Sequence, residues 1–295
     1  MLGILYALGM SLCWAGSGIA MRKLSTFMDP LVLNGVRAAF SLVALGLLFP
    51  LMGDPEAFRA LTTLQIFYLI ASVILGGVVA DTLYVAGLRL LGMSRCFPIV
   101  NSYPLFTVLF GVLFLGEPLE WQTLLAAALV LVGIYFVVQP AHRSAQAESH
   151  PLPGRQLIRG GLIALLTAII YGLECVIISV GAEGVNGLVA NGIRVPVVVV
   201  VSLAIAAPRG ALKEIARFSW RTIWLLVAAG VLGWSLAGTF WVLSIQALGP
   251  GRAAIIGSAA PLFAAPMNRL FLGERPSRLV LAGTVLTVVG IVLVV

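Results

Sequence analysis

The sequence predicts an all-α integral membrane protein with ten transmembrane helices, arranged as two five-helix repeats of which the second is inverted. Three observations predict this fold. The 295-residue chain is 61% apolar and only 10% charged, whereas soluble domains average roughly 45–50% and about 25%. It contains ten apolar segments long enough to cross a bilayer. Its two halves also match each other at a constant offset.

The offset between the halves is 157 residues, and it needs no gap. Identical residues then coincide along the whole chain, among them Gly3 with Gly160, Asn34 with Asn191, Arg37 with Arg194, and Leu113–Glu117 with Leu270–Glu274. We therefore predict a first repeat over 1–138, a polar linker over 139–157 and a second repeat over 158–295. Duplicated apolar units in membranes are typical of transporters, which bind at the repeat interface.

Each predicted helix provides the roughly 20 mostly apolar residues that a membrane span needs. In the first repeat the helices run over 2–21, 30–51, 65–88, 95–115 and 121–139. In the second they run over 159–181, 187–207, 222–246, 253–272 and 278–295. Segments rich in Pro, Gly and charge separate them. The first segment carries no basic residue before it, so we interpret it as a permanent helix and not a signal peptide.

The loop charges predict the orientation. Alternate loops form two sets, and 14 basic residues fall in one set against only Arg59 and Arg252 in the other. Basic loops stay in the cytoplasm, so both termini should face outward from a bacterial-type inner membrane. This distribution also explains the net charge of +7. Because each repeat has five helices, the second must be inverted relative to the first.

Several classes of function lack the residues that they need. The basic residues form no cluster of the kind that binds nucleic acid. Both histidines lie in the linker, and Cys13, Cys96 and Cys175 lie in apolar runs, so no metal or disulfide pattern is present. No phosphate-binding Gly-rich loop or metalloprotease motif occurs. We therefore predict no cofactor and no enzymatic activity.

Three features of the chain carry a resemblance to a known family: the two repeats, the Arg early in the second helix of each repeat, and the Leu-Gly-Glu run that follows the fourth and ninth helices. In these features the chain resembles the drug/metabolite transporter superfamily, and within it the EamA type. The resemblance implies a secondary carrier that exports or exchanges small metabolites. It implies a cavity lined by the first, third, fourth, sixth, eighth and ninth helices, with the fifth and tenth at the periphery. It also implies that a monomer suffices, since the repeats supply their own partner.

Four charged residues lie well inside predicted spans, away from the first and last residues: Arg37, Asp81, Glu174 and Arg194. Such charges are costly and are site candidates by default. The two arginines are repeat equivalents near the ends of their helices, which favours structural pairing or capping, with gating or anion contact as the alternative. Asn34 and Asn191 share their helix faces. The positions equivalent to Asp81 and Glu174 in the other repeat are Gly238 and Ser17, so each acid occurs in only one repeat. This asymmetry indicates a substrate or coupling role, with structural pairing as the alternative.

Polar and aromatic side chains complete the predicted substrate site. It comprises Trp14, Asp81, Tyr84, Asn101, Tyr103, Tyr171, Glu174, Trp234 and Trp241. An aromatic wall with carboxylates suits an organic cation or a zwitterion. The alternative is that these rings lie at the membrane interface. We assign an interfacial position to three other tryptophans, Trp121, Trp220 and Trp224. Prolines in the fourth and ninth helices predict kinks at the cavity: Pro98, Pro104, Pro261 and Pro266.

These observations favour a secondary transporter whose partners are the lipid bilayer and a small-molecule substrate, with amino acids or similar amphipathic metabolites as the first choice. An exporter of drugs or organic cations is the alternative, and so is a membrane sensor that does not transport. Glu174 and Asp81, with Arg37 and Arg194, are the candidates for coupling or gating. A sugar-nucleotide or phosphate exchanger would need a basic cavity centre, whereas this sequence puts acids there.

Overall fold

The computed structural model describes residues 1–52, 55–91, 93–138, 154–260, 262–263 and 278–294. Within these ranges every regular element is a helix, which confirms the all-α prediction. Seven helices are long and apolar enough to cross a membrane, and two shorter apolar helices, Trp121–Phe136 and Ala282–Leu293, correspond to the predicted fifth and tenth spans. The chain is therefore a multi-pass integral membrane protein.

The elements of the first half are as follows, in chain order: α1 (Leu2–Leu24), α2 (Pro30–Met52), α3 (Pro55–Arg59), α4 (Thr63–Val73), a π-helical segment π1 (Ile74–Ala80), α5 (Asp81–Leu91), α6 (Met93–Val100), α7 (Tyr103–Phe110), a second π-helical segment π2 (Gly111–Leu115) and α8 (Trp121–Val138). The third predicted span is thus α4, π1 and α5 in one continuous run, Thr63–Leu91.

The elements of the second half follow the same order: α9 (Gly154–Gly181), α10 (Gly187–Ala206), two short 3₁₀ turns (Ala207–Arg209 and Ala211–Arg217), α11 (Trp220–Gly230), π3 (Val231–Ala237), α12 (Gly238–Leu248), α13 (Pro250–Gly257) and α14 (Arg278–Val294). Helix α9 begins inside the segment predicted to be linker, because residues 154–157, which include Arg155 and Gln156, form its first turn. The rest of that linker, with His142 and His150, lies outside the described residues.

Helix starts recur at repeat-equivalent positions. The Asp29 carboxylate accepts a hydrogen bond from the Leu31 amide at 2.9 Å, and Asn186 accepts one from the Leu188 amide at 2.8 Å. Thr62 caps α4, and its equivalent Ser219 caps α11. Such caps satisfy amides that the helix leaves without partners. The two halves therefore fold by the same local rules.

Packing between the halves recurs as well. A Cβ on Gly3 would collide with Ala247 and Leu248, and a Cβ on Gly160 would collide with Leu90 and Leu91. These two contacts are images of each other with the halves exchanged, as a two-fold axis between them would produce. This exchange agrees with the predicted repeat architecture.

Helices α8 and α14 pack closely through small residues. A Cβ on Gly133 would meet the Gly283 carbonyl oxygen at 2.6 Å, and a Cβ on Gly290 would meet the Ala126 carbonyl oxygen at 2.8 Å. Lipid supplies no hydrophobic force between helices, so such backbone proximity is how they associate. Small residues on α8 and α14, the predicted fifth and tenth spans, therefore form the face that joins these helices.

The Leu-Gly-Glu run forms the end of π2. Gly116 adopts φ 68°, a left-handed conformation that favours glycine, and it turns the chain so that Glu117 reaches the second half. A Cβ on Gly249 would lie 3.2 Å from the Glu117 Oε1 atom. Partial burial raises the pKa of the Glu117 carboxyl, and the Arg252 guanidinium opposes that rise. The equivalent Glu274 lies outside the described residues.

The fourth span breaks where its polar residues lie. Asn101 and Ser102 form a turn between α6 and α7, with Pro98 before it and Pro104 after it. The equivalent turn, at Ser258 and Ala259, ends α13. The prolines were predicted to mark a kink, and they flank a complete break of the helix. Pro261 and Pro266 lie outside the described residues.

Candidate functional site

Two π-helical segments lie at the centre of the site. They are repeat equivalents, since Ile74–Ala80 shifted by 157 residues is Val231–Ala237. A π turn interrupts the regular helical hydrogen bonds and is often found at functional sites. Asn34 donates its side-chain N–H to the Gly77 carbonyl, and Asn191 donates to the Trp234 carbonyl at 2.5 Å. Each half thus ties its second helix to its own π turn.

Helical hydrophobic periodicity cannot distinguish a π turn from an α-helix, so the sequence did not predict these segments. One available signal was the pair of asparagines. A buried amide in a membrane span needs a partner, and both asparagines recur at the same offset. That recurrence indicates an interrupted backbone nearby in each half.

The first half holds an ion pair between Arg37 and Asp81. Arg37 donates from Nη2 to an Asp81 carboxylate oxygen. Its Nε and Nη2 also donate to the Asn34 Oδ1 atom at 3.1 and 2.8 Å, and its Nη1 lies 2.9 Å from the Met21 sulfur. The Tyr171 hydroxyl donates to the other Asp81 oxygen at 2.5 Å. Both members of this pair are therefore held by several partners.

The second half holds an ion pair between Arg194 and Glu174. The Arg194 Nη2 atom donates to the Glu174 Oε1 atom at 2.5 Å, and the two side chains are 2% and 10% exposed. Glu174 lies against the π1 segment, where a Cβ on Gly76 would overlap its carboxyl group. A glycine is thus required for this carboxylate to reach its place. The pair joins α9 to α10.

The arginines are repeat images, but their acids are not. Asp81 is the first residue after π1, and its equivalent is Gly238. Glu174 lies on α9, and its equivalent Ser17 donates to the Ala229 carbonyl at 3.0 Å. The structural pairing that the sequence left open is therefore present at both arginines. The asymmetry of the acids gives the two halves different charge arrangements.

The hydrogen bonding of the arginines also differs. In the first half Asn34 accepts from Arg37, whereas in the second half the equivalent Asn191 Oδ1 and Arg194 Nε atoms are both buried without a hydrogen-bond partner among the described residues. The Trp234 Nε1 atom is in the same condition. Arg194 is turned toward Glu174, which explains why it does not contact Asn191.

A cavity lies between the halves and brings both ion pairs together. It provides about 70 Å³ for the centres of water-sized molecules, where one water needs about 10–15 Å³. The lining residues are Met10, Trp14, Arg37, Gly76, Gly77, Asp81, Tyr103, Tyr171, Glu174, Cys175, Arg194, Gly233, Trp234, Ala237, Gly238 and Trp241. Small solutes or a few waters therefore fit beside four charged groups.

One wall of the cavity is aromatic. Tyr103 packs edge-on against Tyr171 and Trp241, with ring centroids 6.2 and 6.4 Å apart, and Trp14 packs against Tyr171 at 6.4 Å. The Arg37 guanidinium carbon lies 5.6 Å from the centre of the Trp234 ring, within the range of a cation–π contact. These rings give the cavity an amphipathic lining, with apolar faces next to charges.

Most of the predicted site residues line this cavity, and two do not. Those that do are Trp14, Asp81, Tyr103, Tyr171, Glu174, Trp234 and Trp241, together with Arg37 and Arg194. Tyr84 packs against the central apolar core, and Asn101 is buried in the turn between α6 and α7. Their spacing placed them near the cavity, but the rotation of α5 and the break in the fourth span direct them elsewhere.

The helices that line the cavity differ from the expected set. The second and seventh spans contribute Arg37 and Arg194, because long guanidinium side chains reach the centre from helices that lie behind it. The sequence placed these arginines nearer the ends. No described residue of the ninth span lines this cavity. The described residues also contain no group of three or more His, Cys, Asp or Glu that could hold a metal ion.

Comparisons with known proteins agree with this architecture. The model of the EamA-like transporter family matches residues 1–139 and again 158–295. A protein of Archaeoglobus fulgidus named an uncharacterized transporter is 24% identical over 294 residues, which cover 99% of this chain and 98% of that protein. A crystal structure with 19% identity superposes with a TM-score of 0.78, covering 99% of this chain and 95% of the other. The last of these shows the fold alone.

Proposed function

The chain belongs to the EamA-like transporter family, and from this premise we propose that it is a secondary transporter of amino acids or similar amphipathic metabolites. Transport proceeds by alternating access, with the two halves rocking about the cavity. The family match and the transporter-named relative support a membrane transporter. They do not favour an enzyme. The substrate class rests on the chemistry of the cavity.

The observation that carries the substrate class is the combination of charges and rings around one small cavity. Arg37 and Arg194 provide positive groups, Asp81 and Glu174 provide negative groups, and aromatic faces lie beside them. A zwitterion with an apolar side chain presents the same three features in complementary form. Buried charges with partners of both signs therefore favour an amino acid over a dianion such as a phosphate ester.

Coupling is assigned to the acids. Asp81 and Glu174 can each take up a proton, and their asymmetry between the halves allows one to change state without the other. Glu174 is the better candidate, because Asp81 is held by Arg37 and also by Tyr171. Among the described residues, the side chain of Glu174 is bonded only to Arg194. The repeats supply both sides of the cavity, so one chain suffices.

Two other functions remain as candidates. An exporter of organic cations is favoured by the same aromatic wall and carboxylates, since a cation can lie over ring faces. A membrane sensor would use the same fold without a transport cycle. Flux separates the sensor from both transporters, and the charge of the transported solute separates the transporters from each other.

The test is counterflow in proteoliposomes that contain the purified protein. We expect saturable uptake of at least one member of a panel of radiolabelled amino acids, and dependence of that uptake on pH, measured at two pH values. The panel also includes one lipophilic cation. Protein-free liposomes are the control for leakage. Uptake of the cation alone would select the drug exporter, and no uptake of any member by folded protein would favour the sensor.

Orientation gives a second prediction. The loop charges place both termini on the outer face of a bacterial-type inner membrane, so a peptide tag at either terminus should bind antibody in intact spheroplasts. A tag inserted in the segment 139–153, predicted to be cytoplasmic, is the matched control and should bind only after permeabilisation. Cytoplasmic labelling of both termini would overturn the topology.

A further inference from the structure

Two buried hydrogen-bond donors of the second half lack an acceptor within the described ranges. The Arg194 Nε and Trp234 Nε1 atoms have no partner among the described residues. Their residues are 2% and 8% exposed, and both line the cavity. Leaving a buried donor without a partner costs about 1–3 kcal/mol, and more when the group is charged. A folded protein that keeps two such donors beside one cavity indicates that something else satisfies them.

In the first half, the equivalent arginine avoids the free-energy cost of a buried donor without a partner. There Arg37 donates to Asn34, to Asp81 and toward the Met21 sulfur, so each of its three guanidinium nitrogens has a partner. Asn191 offers Arg194 the equivalent acceptor, but that acceptor is not used. The equivalent Asn–Arg pairs therefore differ: Arg37 donates to Asn34 in the first half, whereas Arg194 makes no hydrogen bond to Asn191 in the second. The difference marks Arg194 as the arginine whose Nε donor has no partner among the described residues.

We propose that Arg194 and Trp234 form the subsite for the carboxylate group of the transported molecule. The proposal rests on the transport function proposed above and assigns one end of its substrate. Both free groups are donors, so the ligand must present acceptors, and this excludes an ammonium group at this position. A guanidinium edge matches a carboxylate in plane and charge. The indole N–H adds a second, neutral donor that fixes orientation.

The surroundings limit the ligand to a single negative charge. Glu174 already shares Arg194, and Asp81 lines the same cavity, so a doubly charged phosphate would meet two carboxylates at close range. The cavity is also small, with about 70 Å³ for the centres of water-sized molecules. A monocarboxylate that carries an apolar side chain fits both the charges and the aromatic wall.

The experiment uses three probes that share a 3-methylbutyl chain. L-leucine carries a carboxylate and an ammonium group, 4-methylpentanoate carries only the carboxylate, and 3-methylbutylamine carries only the ammonium. The readout is the thermal unfolding midpoint of the full-length protein in detergent, because a ligand that binds the native state raises it. We expect L-leucine and 4-methylpentanoate to raise the midpoint and 3-methylbutylamine to raise it less at equal concentration.

Two substitutions then assign the effect to the subsite. Arg194→Lys keeps a positive charge for Glu174 but removes the planar guanidinium. Trp234→Phe removes the indole N–H and keeps a smaller aromatic ring at the same position. Each should raise the carboxylate concentration for half-maximal stabilisation about tenfold, the effect of losing roughly one charge-assisted hydrogen bond. The response to the amine should not change. Trp224→Phe is the matched control, because Trp224 is exposed on the surface of α11, and it should behave like wild type.

The outcomes separate this proposal from the transport function. The subsite is wrong if neither carboxylate stabilises the wild type more than the amine does. It is also wrong if both variants keep the wild-type carboxylate dependence. Carboxylate stabilisation without counterflow would retain the subsite and reject transport. Counterflow of cations alone would retain transport and reject the subsite.

Discussion

Glu174→Gln is expected to remove proton coupling while leaving the protein folded. Glutamine cannot take up or release a proton, but its side-chain carbonyl can still accept the hydrogen bond that Arg194 donates to the Glu174 Oε1 atom. Uptake driven by a pH gradient should fall at least about tenfold, within the usual range of coupling between two ligands. The pH dependence of counterflow should disappear. The measurement is flux in proteoliposomes with and without an imposed pH gradient.

The reason is the charge balance of the cavity. Arg37 and Arg194 are matched by Asp81 and Glu174, so the carboxylate of a substrate bound to Arg194 places a further negative charge close to Glu174. Under our proposal, a proton on Glu174 removes this local repulsion and frees Arg194 for the ligand. Asp81 is the other titratable carboxyl on this cavity, and it stays paired with Arg37.

Two control variants test whether the effect is specific to the carboxyl group of Glu174. Glu120→Gln makes the same chemical change at the surface, where Glu120 and Arg252 form a pair at 3.3 Å with side chains about half exposed, and exposed pairs contribute only about 0–1 kcal/mol. It should transport like wild type. Glu174→Asp retains a titratable carboxyl and should keep part of the coupling. Wild-type flux with unchanged pH dependence in Glu174→Gln would exclude Glu174 from the mechanism.

Gly230→Ala is expected to destabilise the protein strongly. Gly230 ends α11 where it crosses α2, and an added Cβ would overlap the Arg37 carbonyl oxygen, with the Ser41 amide nitrogen 3.3 Å away. These are backbone atoms, so no side-chain rotation relieves the overlap, and α2 must move. Overpacking costs typically about 1–3 kcal/mol, and we expect the upper end. Moving α2 also shifts Arg37 away from Asp81.

Gly46, which lies on α2, provides the matched control. A Cβ on Gly46 would meet no atom within 4 Å, so Gly46→Ala gains helix stability of about 0.5–1 kcal/mol without a clash. Both variants are compared with wild type by SDS-induced unfolding in the same detergent. Gly230→Ala should unfold at lower SDS, and Gly46→Ala at the same or higher SDS. Equal midpoints for Gly230→Ala and wild type would contradict the close α2–α11 contact.

Several features of the fold were predictable because they are properties of local composition. Seven of the spans could be recognised from hydropathy, and the repeat from identities such as Arg37 with Arg194. Helix starts at Asp29 and Asn186 follow from capping chemistry. Boundaries were less accurate, as at Gly154, since polar residues can extend a helix beyond the lipid.

The sequence predicted which residues form the candidate site better than it predicted how those residues are arranged. Charges are so costly in a span that Asp81 and Glu174 stood out from the sequence, and both line the cavity. Tyr84 and Asn101 do not line it, because a residue count assumes an unbroken α-helix. The π1 segment and the turn at Asn101 each change the rotation of the residues that follow.

The sequence by itself determined that the chain lies in the membrane, that it is built from two copies of one unit, and which few polar groups it buries. These follow from composition and identity, which need no coordinates. Only the tertiary structure decided that Arg37 pairs with Asp81 and Arg194 with Glu174, and that Arg194 and Trp234 have donors without partners in the described part of the chain. The physical reason is that the acids have no repeat equivalents, so symmetry cannot assign their partners. Pairing depends on helix rotation and on the π turns that set it.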